Sequence, residues 1–290
     1  MKHILITGAN SYVGICVERH LSRWPEQYRV DTLDMIGDGW RECSFRGYDA
    51  VLHVAGIVHQ EKTKNDPKQE ELYDRVNARL PVEVAAKAKA EGVRQFLFMS
   101  SMSVYGLTAP VGKIVTITEK TPLCPRDYYG ISKKKAEEGL AGLADDGFRI
   151  AILRPPMIYG KGCKGNYVTL AKLARKLPVF PWVENQRSML YVENLAEFIR
   201  LLIDDRAAGV FCPQNAEYVN TSDLVARIAH ANGRDLLLIR GFAWTLQLLR
   251  KVTALPDKAF GSLCYDYDLS RYPRDYCWKD LGQSVAETEQ

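Results

Sequence analysis

The chain has 290 residues, 47% of them hydrophobic, and a formal net charge of +4, which is apolar material enough for one two-lobed unit or two small domains. Its basic residues are dispersed, so a nucleic-acid footprint has no support and a small molecule is the expected partner. Seven scattered cysteines without a C-x-x-C pair argue against a metal site and a disulfide framework, and fit reduced thiols in a cytoplasmic protein.

Residues 3–6 read as the first buried strand, so near the start that no signal peptide is expected. TGANSYVG follows at residues 7–14, and a helical pattern runs over 12–24. A helix N-terminus presents unpaired N–H groups and a partial positive charge, so a turn that brings the backbone close can cradle a pyrophosphate. Gly8 allows the sharp exit from the strand, and Gly14 lets the helix lie close on the sheet. Ser11 stands where close phosphate approach usually favours glycine, but serine is small and its hydroxyl can donate to phosphate. A structural turn without a ligand is the competing reading of this motif taken alone.

The second strand, within residues 29–35, supplies Asp34 at the right distance to hydrogen-bond an adenosine ribose, which favours NAD over NADP without excluding NADP. Asp38 is a substitute, and a solvated loop carboxylate is the plain alternative. The interval from Asp34 to the next strand, 50–55, is short, so a strand–helix pair is expected to be missing. A helix over 71–91 and a strand over 96–99 lead to FMSSMSVYG, which puts Ser101 just past a strand's carboxyl end. DYYGISKKK then supplies Tyr129 and Lys133, one helical turn apart on one face of a helix expected over 131–144. A free phenol titrates near about 10. A neighbouring ammonium and an oxidised nicotinamide would both favour phenolate and make Tyr129 a proton acceptor and donor, with Ser101 holding the reacting oxygen.

A strand over 150–153 completes the alternation, which means an α/β fold with a Rossmann-type, doubly wound parallel sheet. After Pro155-Pro156 the regularity fails: Gly160, Gly162 and Gly165 crowd one loop, and a helical run over 170–177 gives way to a Pro-rich stretch. The expected organisation is a dinucleotide-binding domain over 1–156 and a smaller C-terminal substrate lobe over 157–290. A strand-then-helix pattern at 189–204 returns the chain to the first domain near 188–212. Residues 236–252 are apolar but interrupted by Arg240, Arg250 and Lys251, too broken for a membrane span. They read as a core helix or a homodimer helix, with a membrane-surface helix as the alternative.

With TGANSYVG, HVAG (residues 53–56), Asn77, SSMSVYG, YYGISK, LRPPMIYG and QRSMLYVENLA in this order, the chain resembles the extended short-chain dehydrogenase/reductases, and among them the nucleotide-sugar epimerases, dehydratases and reductases. The resemblance implies a Rossmann lobe binding NAD or NADP, a C-terminal lobe binding a nucleoside-diphosphate sugar (a UDP-sugar), and hydride transfer at the sugar. It implies cofactor contacts from Gly8, Asn10, Ser11, Tyr12, Val13, Gly14, Asp34, Ala55, Gly56, Asn77, Ser100, Tyr129, Lys133 and Pro156. Ser101, Ser103 and Tyr129 would meet the sugar, Asn166 and Arg187 the diphosphate, and Phe180 the uracil. A surface ion pair for Arg187 and a core position for Phe180 are the structural alternatives.

Two departures from the family pattern shape the functional expectation. The dehydratases carry an Asp-Glu pair directly after the catalytic Ser or Thr, where this chain has Met102 and Ser103. Neither side chain can supply the acid and base that eliminating water requires. The C-terminal lobe is also shorter than in a typical UDP-galactose 4-epimerase. The expectation is an NAD-dependent 4-epimerase of the UDP-glucose/UDP-galactose type, with a UDP-4-keto-sugar reductase and a dinucleotide-sensing protein as competitors.

Overall fold

Parallel strands buried on both faces read as continuous apolar runs, and here such runs form the central sheet of a computed structural model that describes residues 1–58, 66–241 and 255–290. In chain order the elements begin with β1 (Lys2–Thr7), α1 (Tyr12–Leu21), β2 (Tyr28–Leu33), β3 (Ala50–His53) and α2 (Pro67–Tyr73). A π-helical segment (Asp74–Arg79) leads into α3 (Leu80–Ala90), β4 (Gln95–Met99), β5 (Ile114–Ile117), α4 (Tyr128–Ala141), β6 (Arg149–Leu153) and β7 (Met157–Tyr159). Then come α5 (Asn166–Lys176), β8 (Val179–Pro181), β9 (Met189–Tyr191), α6 (Val192–Asp205), β10 (Gly209–Phe211), α7 (Thr221–Ala231), β11 (Leu237–Ile239) and β12 (Ser262–Tyr265), with a terminal helix at Leu281–Glu289.

The chain divides into two compact units. The first comprises Met1–Gly106, Pro122–Pro155 and Ala196–Cys212. Its sheet has six parallel strands in the order β10-β6-β4-β3-β1-β2. Side chains alternate across it: Leu5, Val51, Phe96, Phe98, Ile150 and Ile152 join Val84, Ala85 and Ala88 of α3 and Ala136 and Leu140 of α4 in one buried cluster. β2 lies at the sheet's edge, because only a single 3-10 turn, Gly39–Glu42, stands between it and β3. No strand among the described residues pairs with its outer side. The short interval after Asp34 thus corresponds to an omitted strand and helix.

The helix expected over 71–91 widens to π geometry over Asp74–Arg79. Pro81 lacks the N–H that an α-helix would donate to the Asn77 carbonyl, and the ladder loosens just before it.

The second unit comprises Leu107–Thr121, Pro156–Leu195 and Pro213–Gln290. It holds three two-stranded parallel pairs, β5 with β12, β7 with β9 and β8 with β11. Inside it Tyr159 stacks on Tyr167 at 5.3 Å, and its hydroxyl lies 2.6 Å from Ser284 of the terminal helix. The expected helix over 236–252 is corrected at its start, where Leu237–Ile239 is a strand laid along Val179–Pro181. The remainder of that segment lies outside the described residues from 242 onward.

Candidate active site

The glycine-rich turn is shaped by close backbone approach. Gly8 leaves β1 with φ 112°, and Asn10 is also left-handed at φ 65°. A Cβ on Gly8 would stand 2.6 Å from the Ala55 nitrogen, so only glycine lets the segment after β3 come this near. A Cβ on Gly14 would stand 3.3 Å from the side chains of Ile6 and Val54, which is the close seating of helix on sheet read from the sequence. Ser11 caps α1, its Oγ accepting from the Gly14 N–H at 3.1 Å. The first turn, with Tyr12 and Val13, carries no acidic side chain, so nothing there opposes a phosphate.

Asp34 stands level with this turn. Thr7 pairs in register with Leu33, and the Gly8 N–H donates to the Leu33 carbonyl at 2.8 Å. The carboxylate is exposed and accepts from the Ile36 N–H at 2.9 Å. Asp38, the substitute, is paired with Arg41 at 3.2 Å, and Arg41 is also held by Glu83. An anion at Asp34 would repel a 2′-phosphate, so Asp34→Ala is expected to shrink the preference for NAD over NADP by on the order of tenfold. Paired dissociation constants for the two cofactors check this, and a wild-type preference for NADP would remove Asp34 from the role.

Ser101, Tyr129 and Lys133 meet because the start of α4 packs against the turn after β4. Ser101 caps a one-turn 3-10 helix, Met102–Tyr105, its Oγ accepting from the Ser103 N–H at 3.1 Å. A Cβ on Gly130 would stand 2.6 Å from the Ser103 carbonyl oxygen, so glycine beside Tyr129 permits the approach. Asp127 caps α4 by accepting from the Gly130 N–H at 2.7 Å. Burial pushes the Tyr129 hydroxyl up to about 12, while neighbouring Ser101 pulls the other way and Asp127 and Tyr73 add to the rise.

The Lys133 ammonium donates to the Met99 carbonyl at 2.8 Å and lies 4.7 Å above the Phe98 ring. Burial lowers its pKa to about 7, against a raising effect of Glu137. Lys133 is 6.0 Å from the Tyr129 ring centroid and is not among the groups that shift the phenol. Without a bound cofactor, desolvation dominates at the phenol.

Around these three lie the groups that hold them. Asn77, in the π-helical segment, clamps the loop after β3, accepting from the Ile57 N–H at 2.9 Å and donating to the Ile57 carbonyl at 3.0 Å. A Cβ on Gly56 would meet Asn77 Oδ1 at 3.0 Å and Lys133 Nζ at 3.4 Å, so the Ala55-Gly56 backbone, Asn77 and Lys133 converge. Backbone N–H groups at the start of α1, close backbone approach at Gly8 and Gly56 and one ammonium make a donor set that fits a dinucleotide. The Ser100 hydroxyl donates to Glu137, which Arg154 grips through both Nε, at 3.0 Å, and Nη2. Neither Glu137 nor Arg154 was singled out in the sequence; the available signal was an acidic residue four positions after Lys133 on a buried helix face. His53 is buried, with Nδ1 2.9 Å from Thr7 Oγ1, and burial first and Lys133 second push it down to about 3.

The remaining candidates belong to the second unit. Pro156 is buried at its boundary. Asn166 is exposed at the first position of α5, after Gly165 at φ 90°. Arg187 donates to the carbonyls of Lys258 and Ala259, and burial lowers its pKa. Phe180 is buried with its ring 5.8 Å from that of Phe260.

A sequence model described as the NAD dependent epimerase/dehydratase family matches residues 4–211. A UDP-glucose 4-epimerase of Vibrio cholerae is 29% identical over 307 residues, covering 96% of this chain and 90% of its own. An N-acetyl-alpha-D-glucosaminyl-diphospho-ditrans,octacis-undecaprenol 4-epimerase of Escherichia coli O157:H7 is 29% identical over 256 residues, covering 81% of this chain and 73% of its own. Among solved structures, a UDP-glucuronic acid 4-epimerase from Bacillus cereus in complex with NAD has the same fold, with a TM-score of 0.72 at 15% identity over 98% of this chain and 96% of that one. No helix among the described residues is long and apolar enough to cross a membrane. A Rossmann-type sheet, a glycine-lined cradle and a Ser-Tyr-Lys cluster within residues 4–211 agree with that match: the chain belongs to the NAD dependent epimerase/dehydratase family.

Proposed function

We propose that the protein is an NAD-dependent nucleotide-sugar 4-epimerase of the UDP-glucose/UDP-galactose type, acting on the plain or the N-acetylated sugars. The observation that carries this reading is the meeting of Ser101, Tyr129 and Lys133 beside the Gly8–Ala55 approach, with Met102 and Ser103 following the serine. Tyr129 takes the proton of the C4 hydroxyl and returns it to the C4 oxygen; Ser101, whose hydroxyl donates to Ser103 at 3.2 Å, turns to hold that oxygen in place. Lys133 binds the nicotinamide ribose and offsets charge on the phenol once the site is filled. Bound NAD would supply the hydride acceptor and donor at C4. With no acidic pair after Ser101, elimination of water lacks its acid and base. By resemblance, Asn166 and Arg187 hold the diphosphate and Phe180 the uracil.

Purified protein is expected to interconvert UDP-glucose and UDP-galactose, or their N-acetyl forms, without added reductant and with no net change in NADH. The competing reading is a UDP-4-keto-sugar reductase. Inertness toward all four sugars, together with stoichiometric NADH or NADPH consumption by a UDP-4-keto-6-deoxy sugar, would replace the epimerase with that reductase.

A further inference from the structure

Lys133 and Glu137 grip consecutive residues at the end of β4: the ammonium holds the Met99 carbonyl and the carboxylate holds the Ser100 hydroxyl. Ser101 comes next. The two side chains sit one turn apart on the buried face of α4, and the carboxylate is fixed from its far side by the Arg154 guanidinium, which also donates to the Tyr105 hydroxyl at 2.9 Å. We propose that Glu137, held by Arg154, is a positioning residue that seats Ser101 through Ser100 and serves as the buried counter-charge of Lys133. This rests on the reading of Lys133 as part of the active site.

The physical argument is one of charge in a dry place. A buried ammonium with a single backbone acceptor is unstable relative to the neutral amine unless an anion is near. The ionisable groups around Lys133 and its partners are Tyr129 and Glu137 on its own helix, His53 from β3, Tyr73 from α2 beside Tyr129, and Arg154 beyond β6 on Glu137. The imidazole is held neutral by burial, and Arg154 is a cation, so Glu137 is the counter-charge in this set. Arg154 is itself kept charged: burial pulls its pKa down, but the hydrogen bonds and charge of Glu137 raise it further. Arg154 thus has two opposed effects on Lys133, repelling it as a cation while holding the carboxylate that stabilises it.

The test reads the protonation of Lys133 directly, in protein without cofactor or sugar, so it stands whether or not UDP-sugars are turned over. Protein labelled with 13Cε-lysine is titrated by NMR, and the Lys133 resonance is the one missing from Lys133→Met. Glu137→Gln keeps an acceptor for Ser100 but removes the charge, and is expected to move the Lys133 midpoint down by at least about one pH unit. Arg154→Gln, which removes the competing cation, is expected to move it up. Should Glu137→Gln alone not fold, the double variant also removes the Arg154 cation that would be stranded without its carboxylate, and its midpoint is expected to fall below that of Arg154→Gln by at least about one unit. A midpoint unmoved by Glu137→Gln in either background, or displaced in the same direction by both single variants, overturns the proposal.

Discussion

Tyr129→Phe is expected to lower kcat by on the order of 10²–10⁴-fold while the dissociation constants for cofactor and sugar nucleotide change little. The variant loses only the hydroxyl, and the partly exposed ring keeps its place near Tyr73 and Lys133. A phenol held near about 12 by burial stays protonated at neutral pH, so the filled site must bring its pKa down before it can accept the sugar's proton. Steady-state kinetics beside binding isotherms check this, and near-normal turnover would remove Tyr129 from the chemistry.

Lys133→Met is expected to act in two opposite directions. Turnover should fall by on the order of 10²-fold or more and cofactor binding should weaken, because the ribose contact and the positive charge are both lost. The cofactor-free protein should nevertheless become more stable at pH 7, by on the order of 1–3 kcal/mol, because a buried ammonium gives way to an apolar side chain of similar length. The folded-state pKa of about 7 lies below the ordinary 10.5. Between those values the unfolded chain binds more protons at this lysine than the folded one, so its contribution makes stability rise with pH across the window. The difference between variant and wild type should therefore be largest near and below pH 7 and shrink toward pH 10. Denaturant midpoints at several pH values measure it; a variant less stable than wild type at pH 7 would mean that the Met99 hydrogen bond outweighs the cost of burying the charge.

Much of the first unit was legible because its signals are local. Residues 3–6, 96–99 and 150–153 each fall inside an observed strand, since a buried parallel strand is one continuous apolar run. Gly8 and Gly14 were legible for the same reason, their backbone demands lying in the turn itself. Long-range relations were not legible. That Glu137 meets Ser100, 37 positions away, depends on α4 folding back over β4, and a lone acidic residue in a helix reads as solvated until that face is known to be buried. Spacing shows that Lys133 neighbours Tyr129 but not which way the ammonium turns, and it turns to the Met99 carbonyl. In the second unit, three-residue strands such as Leu237–Ile239 are shorter than any period can reveal.

The omission of a strand and helix after β2 also bears on how the molecule avoids sticking to its own kind. A six-residue edge strand offers a row of backbone donors and acceptors to any other extended chain. Along β2 the exposed positions are Arg29 and Thr32, and the Asp31 carboxylate is anchored by His3 and the Tyr48 hydroxyl at 2.7 and 2.8 Å. A second β2 added in parallel register would set like side chains beside one another, Arg29 against Arg29 and Asp31 against Asp31, and like charges directly opposite are destabilising. The shortened connection therefore leaves an edge that repels its own copy, and fibril-like stacking through this side of the sheet is disfavoured by the strand's own sequence.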